Sequence, residues 1–224
     1  MADIVSRIAA WRQQRELASQ TQQLVPDAQQ MSILEAVANR CVTEAGEQDS
    51  QRGSPCARML VLGLPGSGKS EVIRWLRDES IGLFPTCLGW EHDVHFIKTV
   101  PMNAMASNIG GHTIHSFSKL GIDLITGCHS GGKKNPELSE NLLHTRIQHM
   151  RWLIIDEIEN VSVELLDALH RQLKDSTRDK GNPWAVDGRA PSQFAMFGGL
   201  NLILLGDLWQ IPPVRALSIA ANPF

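Results

Sequence analysis

The spacing of apolar residues predicts two helices at the start of the chain. Residues 3–19 and 27–41 both place apolar side chains at roughly helical intervals, with polar residues between them. The apolar positions are Ile4, Ile8, Trp11 and Leu17 in the first segment and Met31, Leu34, Val37 and Cys41 in the second. We therefore predict an N-terminal helical segment over residues 1–43.

A change of pattern follows this segment. Residues 44–56 are polar and rich in glycine, serine and proline, which predicts a loop. Beyond the loop, short apolar runs alternate with helical or irregular stretches, a pattern typical of a parallel sheet buried on both faces. The runs are RMLVLGL, VHFIKTV, RWLIIDE and LNLILLGD. They predict an α/β domain over residues 57–224, interrupted by long loops at 126–137 and 175–199.

Composition narrows the class of protein. The chain has 224 residues, 42% of them hydrophobic and 20% charged, which is ordinary for a globular protein with a real core. A formal net charge of -3 gives no broad basic field, so any contact with nucleic acid must be local. The four cysteines lack C-x-x-C spacing, which favours a reducing compartment over a disulfide framework or a zinc ribbon. No apolar run approaches the roughly 18 residues that span a bilayer. We expect an intracellular protein, nuclear or cytoplasmic, with a mitochondrial location also open.

The strongest chemical signal is the string GLPGSGKS at residues 63–70, named the phosphate loop below. It fits G-x-x-x-x-G-K-[ST] and stands between an apolar strand and a helical stretch. Glycines let backbone amides fold around a phosphate, and the helix N-terminus adds its positive dipole. In this pattern Lys69 reaches the outer phosphates and Ser70 offers its hydroxyl to Mg²⁺. We predict ATP and Mg²⁺ as cofactors.

A second signal is the pair Asp156 and Glu157, which ends the apolar run RWLII. In a phosphate-loop ATPase the first carboxylate holds Mg²⁺ and the second polarises the attacking water. We therefore predict Ser70 and Asp156 as the metal ligands. The predicted nucleotide-binding residues of the loop and its helix are Gly63, Pro65, Gly66, Ser67, Gly68, Lys69, Ser70 and Glu71.

Two further strings narrow the class of ATPase. NIGGHTIHSF at 108–117 and GDLWQIPPV at 206–214 follow the earlier motifs in a characteristic order. Together with GLPGSGKS and LIIDEI, they resemble the first motor domain of the Pif (petite integration frequency) family of superfamily-one DNA helicases, over roughly residues 25–214. The strings GW, FGGLN and GDLWQIPP look like the Pif-like helicases of mobile-element and protist genomes. The resemblance implies a RecA-like fold with a mostly parallel sheet.

The resemblance also implies roles for residues around the nucleotide. Gln210 would be the γ-phosphate sensor, so the predicted catalytic residues are Lys69, Glu157 and Gln210. The string VPDAQQ at 25–30 resembles the glutamine motif that recognises adenine. Gln29 matches that motif best, and Gln30 is the alternative.

The segment TVPMNAMASNIGGHTIHSF resembles the strand and loop with which the family grips single-stranded DNA. The predicted DNA-binding residues are Gly111, Thr113, His115 and Ser116, through backbone approach or side-chain hydrogen bonds to phosphates. Met102 and Asn103 stand where a Thr-Gly pair is usual. Trp209 and Trp184 are candidates for stacking on bases. The pair Lys133 and Lys134 could touch the DNA backbone, with a solvated loop as the alternative.

The function implied by the resemblance is Mg²⁺-dependent ATP hydrolysis coupled to 5′-to-3′ movement along single-stranded DNA and duplex unwinding. Replication, repair, recombination and telomere maintenance are the family's range. In such motors ATP sits between two RecA-like domains, and only ten residues follow Val214. We therefore expect the second motor domain to be missing and this chain alone to unwind nothing. A non-helicase ATPase and a nucleotide-binding module without turnover remain alternatives.

Overall fold

The computed structural model describes residues 2–18, 25–47, 56–102, 111–118, 143–178, 196–210, 213 and 216–219. The predictions for the loop at 126–137, for Asn103, for Lys133 and Lys134 and for Trp184 lie outside these residues. The chain divides into two compact units. The helical unit comprises Met1–Ala57 and Pro65–His92, and the sheet unit comprises Arg58–Leu64 and Asp93–Phe224. Residues 65–92 therefore group with the N-terminal helices, and the domain predicted at 57–224 stays a prediction.

Helices form the helical unit. They are α1 (Ala2–Ala18), α2 (Ala28–Glu47), α3 (Lys69–Arg77) and a π-helix (Phe84–Leu88). Both predicted N-terminal helices are confirmed, but α2 continues to Glu47, past the predicted helix end at 41 and the predicted segment end at 43. Arg40 and Glu44, which lie one helical turn apart, form a buried ion pair at 3.1 Å. This pair stabilises the final turns of α2.

Parallel strands form the core of the sheet unit. They are β1 (Arg58–Leu62), β2 (Phe96–Val100), β3 (His112–Thr113), β4 (Trp152–Ile155) and β5 (Asn201–Gly206). The described strands make one sheet in the order β1-β5-β4-β2-β3, with every pairing parallel. The predicted α/β class is confirmed. The two-residue β3 has no apolar run of its own, which is why the pattern of the sequence missed it.

One face of the sheet is covered by helices of the same unit. The short α4 (Ile114–Ser118) and the long α5 (Val163–Arg178) bury their apolar residues against Ile97, Leu153 and Leu202. Because Leu165, Leu169 and Leu173 all face this core, α5 keeps its helical turns to Arg178. The loop predicted from residue 175 is therefore wrong for residues 175–178. A short turn at Met196–Gly199, in which Phe197 and Gly198 have left-handed φ values of +53° and +65°, occupies the other end of that predicted loop.

In the part of the chain that the structure describes, no helix is long and apolar enough to cross a membrane.

Candidate functional site

The phosphate loop follows β1 and leads into α3. Gly66 and Gly68 have φ values of +77° and +83°, a left-handed conformation that glycine adopts without strain. A Cβ at Gly68 would collide with the side-chain nitrogen of Gln30. A Cβ at Gly66, by contrast, would meet no atom within 4 Å. The loop thus has glycine where the backbone needs it and leaves room beside Gly66 for a ligand.

The start of α3 suits an anion. Lys69 is the first residue of the helix. The first amide N–H groups of a helix have no acceptor within it, and they lie at the positive end of the helix dipole. Lys69 is half-buried and Ser70 is exposed, as are Pro65 and Ser67. Glu71 lies 3.3 Å from Arg74 in an exposed pair on the same helix. These features fit a bound phosphate.

Two adjacent glutamines in α2 have different environments. Asp27 caps the helix by accepting the amide N–H groups of Gln29 and Gln30, both at 2.8 Å. The Gln30 side chain donates to the Gly68 carbonyl at 3.4 Å, whereas Gln29 is exposed. The structure therefore brings the alternative residue, Gln30, to the phosphate loop. The adenine contact of Gln29 stays a prediction.

At the end of β4, Asp156 is held from two sides. Its Oδ2 lies 3.0 Å from the Lys98 ammonium of β2, and both side chains are buried. Its Oδ1 accepts the Glu157 N–H at 3.1 Å. The Asp156 N–H itself donates to the Thr99 carbonyl at 2.9 Å, which extends the pairing of β2 with β4. The carboxylate thus has a fixed position at the carboxyl edge of the sheet.

Glu157 has an unusual backbone conformation. Its φ of +57° and ψ of +45° place it in the left-handed region, which costs a residue with a Cβ about 1–3 kcal/mol. The conformation ends β4 abruptly and starts the 3-10 helix Ile158–Asn160. Such strain is common at functional sites, and here it turns the half-buried Glu157 away from the line of the strand.

At the end of β5, Asp207 organises its own turn. Its carboxylate accepts the Trp209 N–H at 3.0 Å and the Gln210 side-chain amide at 3.4 Å. Its own N–H donates to the buried Glu159 carboxylate at 3.1 Å. Gln210 is exposed, and Trp209 is 91% exposed. Nearby lies a cavity of about 430 Å³, lined by Leu62, Gly63, Leu64, Asp207, Leu208 and Trp209.

The residues predicted to hold Mg²⁺ have suitable chemistry. Ser70 and Asp156 offer a hydroxyl and a carboxylate, and Mg²⁺ prefers oxygen ligands. Asp156 Oδ1 accepts the Glu157 N–H, and Oδ2 pairs with the Lys98 ammonium. A carboxylate oxygen has two lone pairs, so these contacts leave it able to bind a cation as well. Among the described residues no group of three or more His, Cys, Asp or Glu side chains is arranged to hold a metal. Each of the two side chains, taken by itself, therefore has the chemistry of a ligand for a cation that also takes oxygen from phosphate and water.

The predicted DNA-binding residues lie together at β3 and α4. The Thr113 hydroxyl accepts the Ser116 N–H at 3.0 Å, so it caps the short helix while buried. Ser116 is exposed, and Gly111 and His115 are half-buried. Burial lowers the pKa of His115 below its usual value. The imidazole is therefore mostly neutral at about pH 7, and any contact with a phosphate would be an uncharged hydrogen bond.

Two residues with clear roles in this geometry were missed by the sequence reasoning. Lys98 interrupts the apolar run FIKTV, and a lysine inside a buried strand was the signal that it needs an anionic partner. Glu159 follows the Asp-Glu pair and connects the end of β4 to that of β5 through the Asp207 N–H. No pattern in the sequence indicated that contact.

Comparison with known proteins places the chain in a family. A sequence model of the PIF1-like helicases matches residues 27–220. The chain is 30% identical over 165 residues to ATP-dependent DNA helicase PIF1 of Emericella nidulans and 31% identical over 179 residues to that of Saccharomyces cerevisiae. These matches cover 70% and 78% of this chain but 18% of either relative. The chain belongs to the PIF1-like helicase family and spans less than a fifth of these relatives.

Solved structures support the same fold. A Pif1 helicase from Bacteroides in complex with ADP-AlF3 and ssDNA matches with a TM-score of 0.52 and 23% identity, over 86% of this chain and 34% of that one. Pif1 helicase from Candida albicans matches with a TM-score of 0.51 and 24% identity, over 88% and 36%. The fold is thus the RecA-like α/β fold that the family resemblance implied.

Proposed function

We propose that this chain is the first motor domain of a DNA helicase, which hydrolyses ATP with Mg²⁺ and couples hydrolysis to movement along single-stranded DNA. The observation that carries the proposal is the phosphate loop. Its left-handed Gly66 and Gly68 lead directly into α3, whose first residue is Lys69. Membership of the PIF1-like helicase family supports the same activity.

Each predicted residue has a part in this chemistry. The Lys69 ammonium would hold the outer phosphates, and the loop amides would surround them. Ser70 and Asp156 would hold Mg²⁺, which supplies charge neutralisation on the phosphates when it is bound. Glu157 would polarise the attacking water, and Gln210 would bond the terminal phosphate through its amide. Gln29, or Gln30 beside it, would contact adenine.

DNA binding is proposed for the region of β3 and α4. Gly111 allows close approach of a backbone, and the exposed Ser116 offers a hydroxyl to a phosphate. His115 would donate an uncharged hydrogen bond. Thr113 would have two roles in this proposal. Its hydroxyl oxygen caps α4 by accepting the Ser116 N–H, and its O–H group would donate to a phosphate oxygen.

Unwinding needs more than these residues. We propose that a second RecA-like domain joins this one in the working helicase. Its arginines would stabilise the transition state, an effect worth about 10³ to 10⁵ in rate in related phosphoryl transfer. Movement in the 5′-to-3′ direction is part of the proposal.

The experiment is phosphate release from ATP by the purified chain, with and without an oligothymidylate. We expect slow release that the oligonucleotide stimulates and that Lys69→Ala abolishes. Lys174→Ala on α5 is the charge-matched control and should behave as the wild type. Nucleotide binding without release under any DNA would replace this proposal with a binding module. Release that ignores DNA would favour an ATPase of another kind.

The DNA contact has its own test, the anisotropy of a labelled oligothymidylate. Ser116→Ala should weaken binding several-fold, whereas Thr113→Ser keeps both the cap and the hydroxyl and should leave binding intact. Equal affinity of Ser116→Ala and the wild type would remove Ser116 from the contact.

A further inference from the structure

A lysine lies in the middle of a strand that is wholly buried and mostly apolar. β2 reads FIKTV, all five residues are buried, and the Lys98 side chain is 4% exposed. Lysine is almost never fully buried unless it is paired, because an isolated ammonium away from water is very costly. Lys98 therefore depends on a partner for its place in the sheet.

The partner is the predicted metal ligand. Lys98 is in register with Ile154, and Asp156 lies two residues further along the chain, directly after the end of β4 and on the same face by the alternation of a strand. The ammonium is 3.0 Å from Asp156 Oδ2, and the Asp156 side chain is 9% exposed. A cationic side chain thus already neutralises the carboxylate to which a divalent cation is expected to bind.

The energetics of such a pair follow from its burial. A carboxylate and an ammonium that are both out of water attract each other strongly, and removal of either takes a counter-charge away from the other. A second cation that approaches Asp156 meets the positive charge of Lys98 at short range, which opposes its binding. The apolar residues that are usual inside a buried strand would offer no such opposition.

We infer that Lys98 is a positioning residue that acts as the internal counter-ion of Asp156. It holds the carboxylate in place when no metal is bound, and it lowers the affinity of that carboxylate for divalent cations. This inference rests on the proposed function, in which Asp156 is a ligand of Mg²⁺. Metal binding at this site is then an exchange between a side-chain cation and a divalent ion, so that bound phosphates are needed to favour the metal.

The test uses the full chain without nucleotide and compares Lys98→Gln and Lys98→Met with the wild type. Mn²⁺ binding, followed by the loss of its free electron spin resonance signal, should become about tenfold tighter in both variants. Thermal melting supplies the second measurement. Both variants should melt lower than the wild type in EDTA, and MnCl₂ or MgCl₂ should restore much of that loss.

Two controls separate this role from ordinary packing. Arg40→Met breaks a comparably buried ion pair, Arg40 with Glu44 in α2, and its lower melting temperature should be the same with and without Mn²⁺. The double variant Lys98→Gln/Asp156→Asn should lose the tighter Mn²⁺ binding. If Lys98→Met does not fold, Lys98→Gln still gives both measurements, because its amide keeps a hydrogen-bond donor for Asp156.

The outcomes distinguish this inference from the proposed function. Mn²⁺ affinity equal to that of the wild type, or a melting loss that divalent cations do not restore, would overturn the role of Lys98 even if ATP is hydrolysed normally. Tighter Mn²⁺ binding in the Lys98 variants of a chain that binds no ATP would support the counter-ion and sink the ATPase proposal.

Discussion

The ends of the neighbouring strands β4 and β5 both carry an aspartate, but the two carboxylates are used differently. Asp156 is fixed by a charge from another strand, since Lys98 of β2 lies 3.0 Å from it. Asp207 is bound mainly to its own turn, through the Trp209 N–H and the Gln210 amide. Beyond Asp156 the chain stays largely buried, whereas beyond Asp207 it becomes exposed within two residues.

We infer from this difference that the end of β4 is rigid and that the end of β5 can adjust. A buried ion pair between strands allows little movement, because any separation leaves two uncompensated charges. A turn held by hydrogen bonds near the surface can rearrange, because water replaces the bonds that it loses. The first arrangement suits a carboxylate that must hold a cation in place, and the second suits a glutamine that must respond to a phosphate.

The largest expected effect is on stability at the end of β4. Asp156→Ala removes the carboxylate that lies 3.0 Å from the buried Lys98 ammonium, and we expect a loss of about 3–5 kcal/mol in the free energy of unfolding. Urea denaturation measures it. A loss below about 1 kcal/mol would mean that water reaches Lys98 and that this end is not rigid.

At the end of β5 the largest effect should fall on turnover instead. Gln210 is exposed, so Gln210→Ala should change the free energy of unfolding by less than about 0.5 kcal/mol. If its amide bonds the terminal phosphate in the transition state, phosphate release should slow by about 10²-fold. Unchanged release by a stably folded Gln210→Ala would remove the sensor from the account.

An intermediate effect is expected for Asp207→Ala. It removes two hydrogen bonds of the turn while keeping the N–H that donates to Glu159. We expect a loss of about 1–2 kcal/mol by urea denaturation, clearly less than for Asp156→Ala. Equal losses for the two variants would erase the distinction between the ends.

The smallest effect concerns the turn at Met196–Gly199, which precedes β5, and it depends on pH. His170 Nδ1 accepts the Phe197 N–H at 2.9 Å, which requires an unprotonated nitrogen. Burial, and then the nearby Lys174, lower the pKa of His170 in the folded protein, so the unfolded chain binds the proton more readily. Stability is then complete above about pH 6.5 and falls below it, by less than about 1 kcal/mol after solvent screening. The urea midpoint of His170→Gln should lose this part of the pH dependence.

The sequence predicted the strands and the phosphate loop because their signals are local. Apolar runs mark β1, β2, β4 and β5, and the phosphate loop needs glycine at positions that a short pattern can specify. Contacts across the sheet were not predictable in this way. The pairing of Lys98 with Asp156 depends on the register of β2 with β4. The contact of Gln30 with the Gly68 carbonyl likewise depends on the helical phase that Asp27 sets, and no local pattern specifies it.

The most direct test of the account is a single-turnover experiment on the wild type and Glu157→Gln, with ATP binding and phosphate release measured in the same samples. Glu157 follows the fixed carboxylate but is assigned to the water and not to the metal or the phosphates. We therefore predict that both proteins bind ATP within about twofold of each other and that only the wild type releases phosphate. Release at equal rates by the two proteins would contradict the central claim that the end of β4 carries the chemistry.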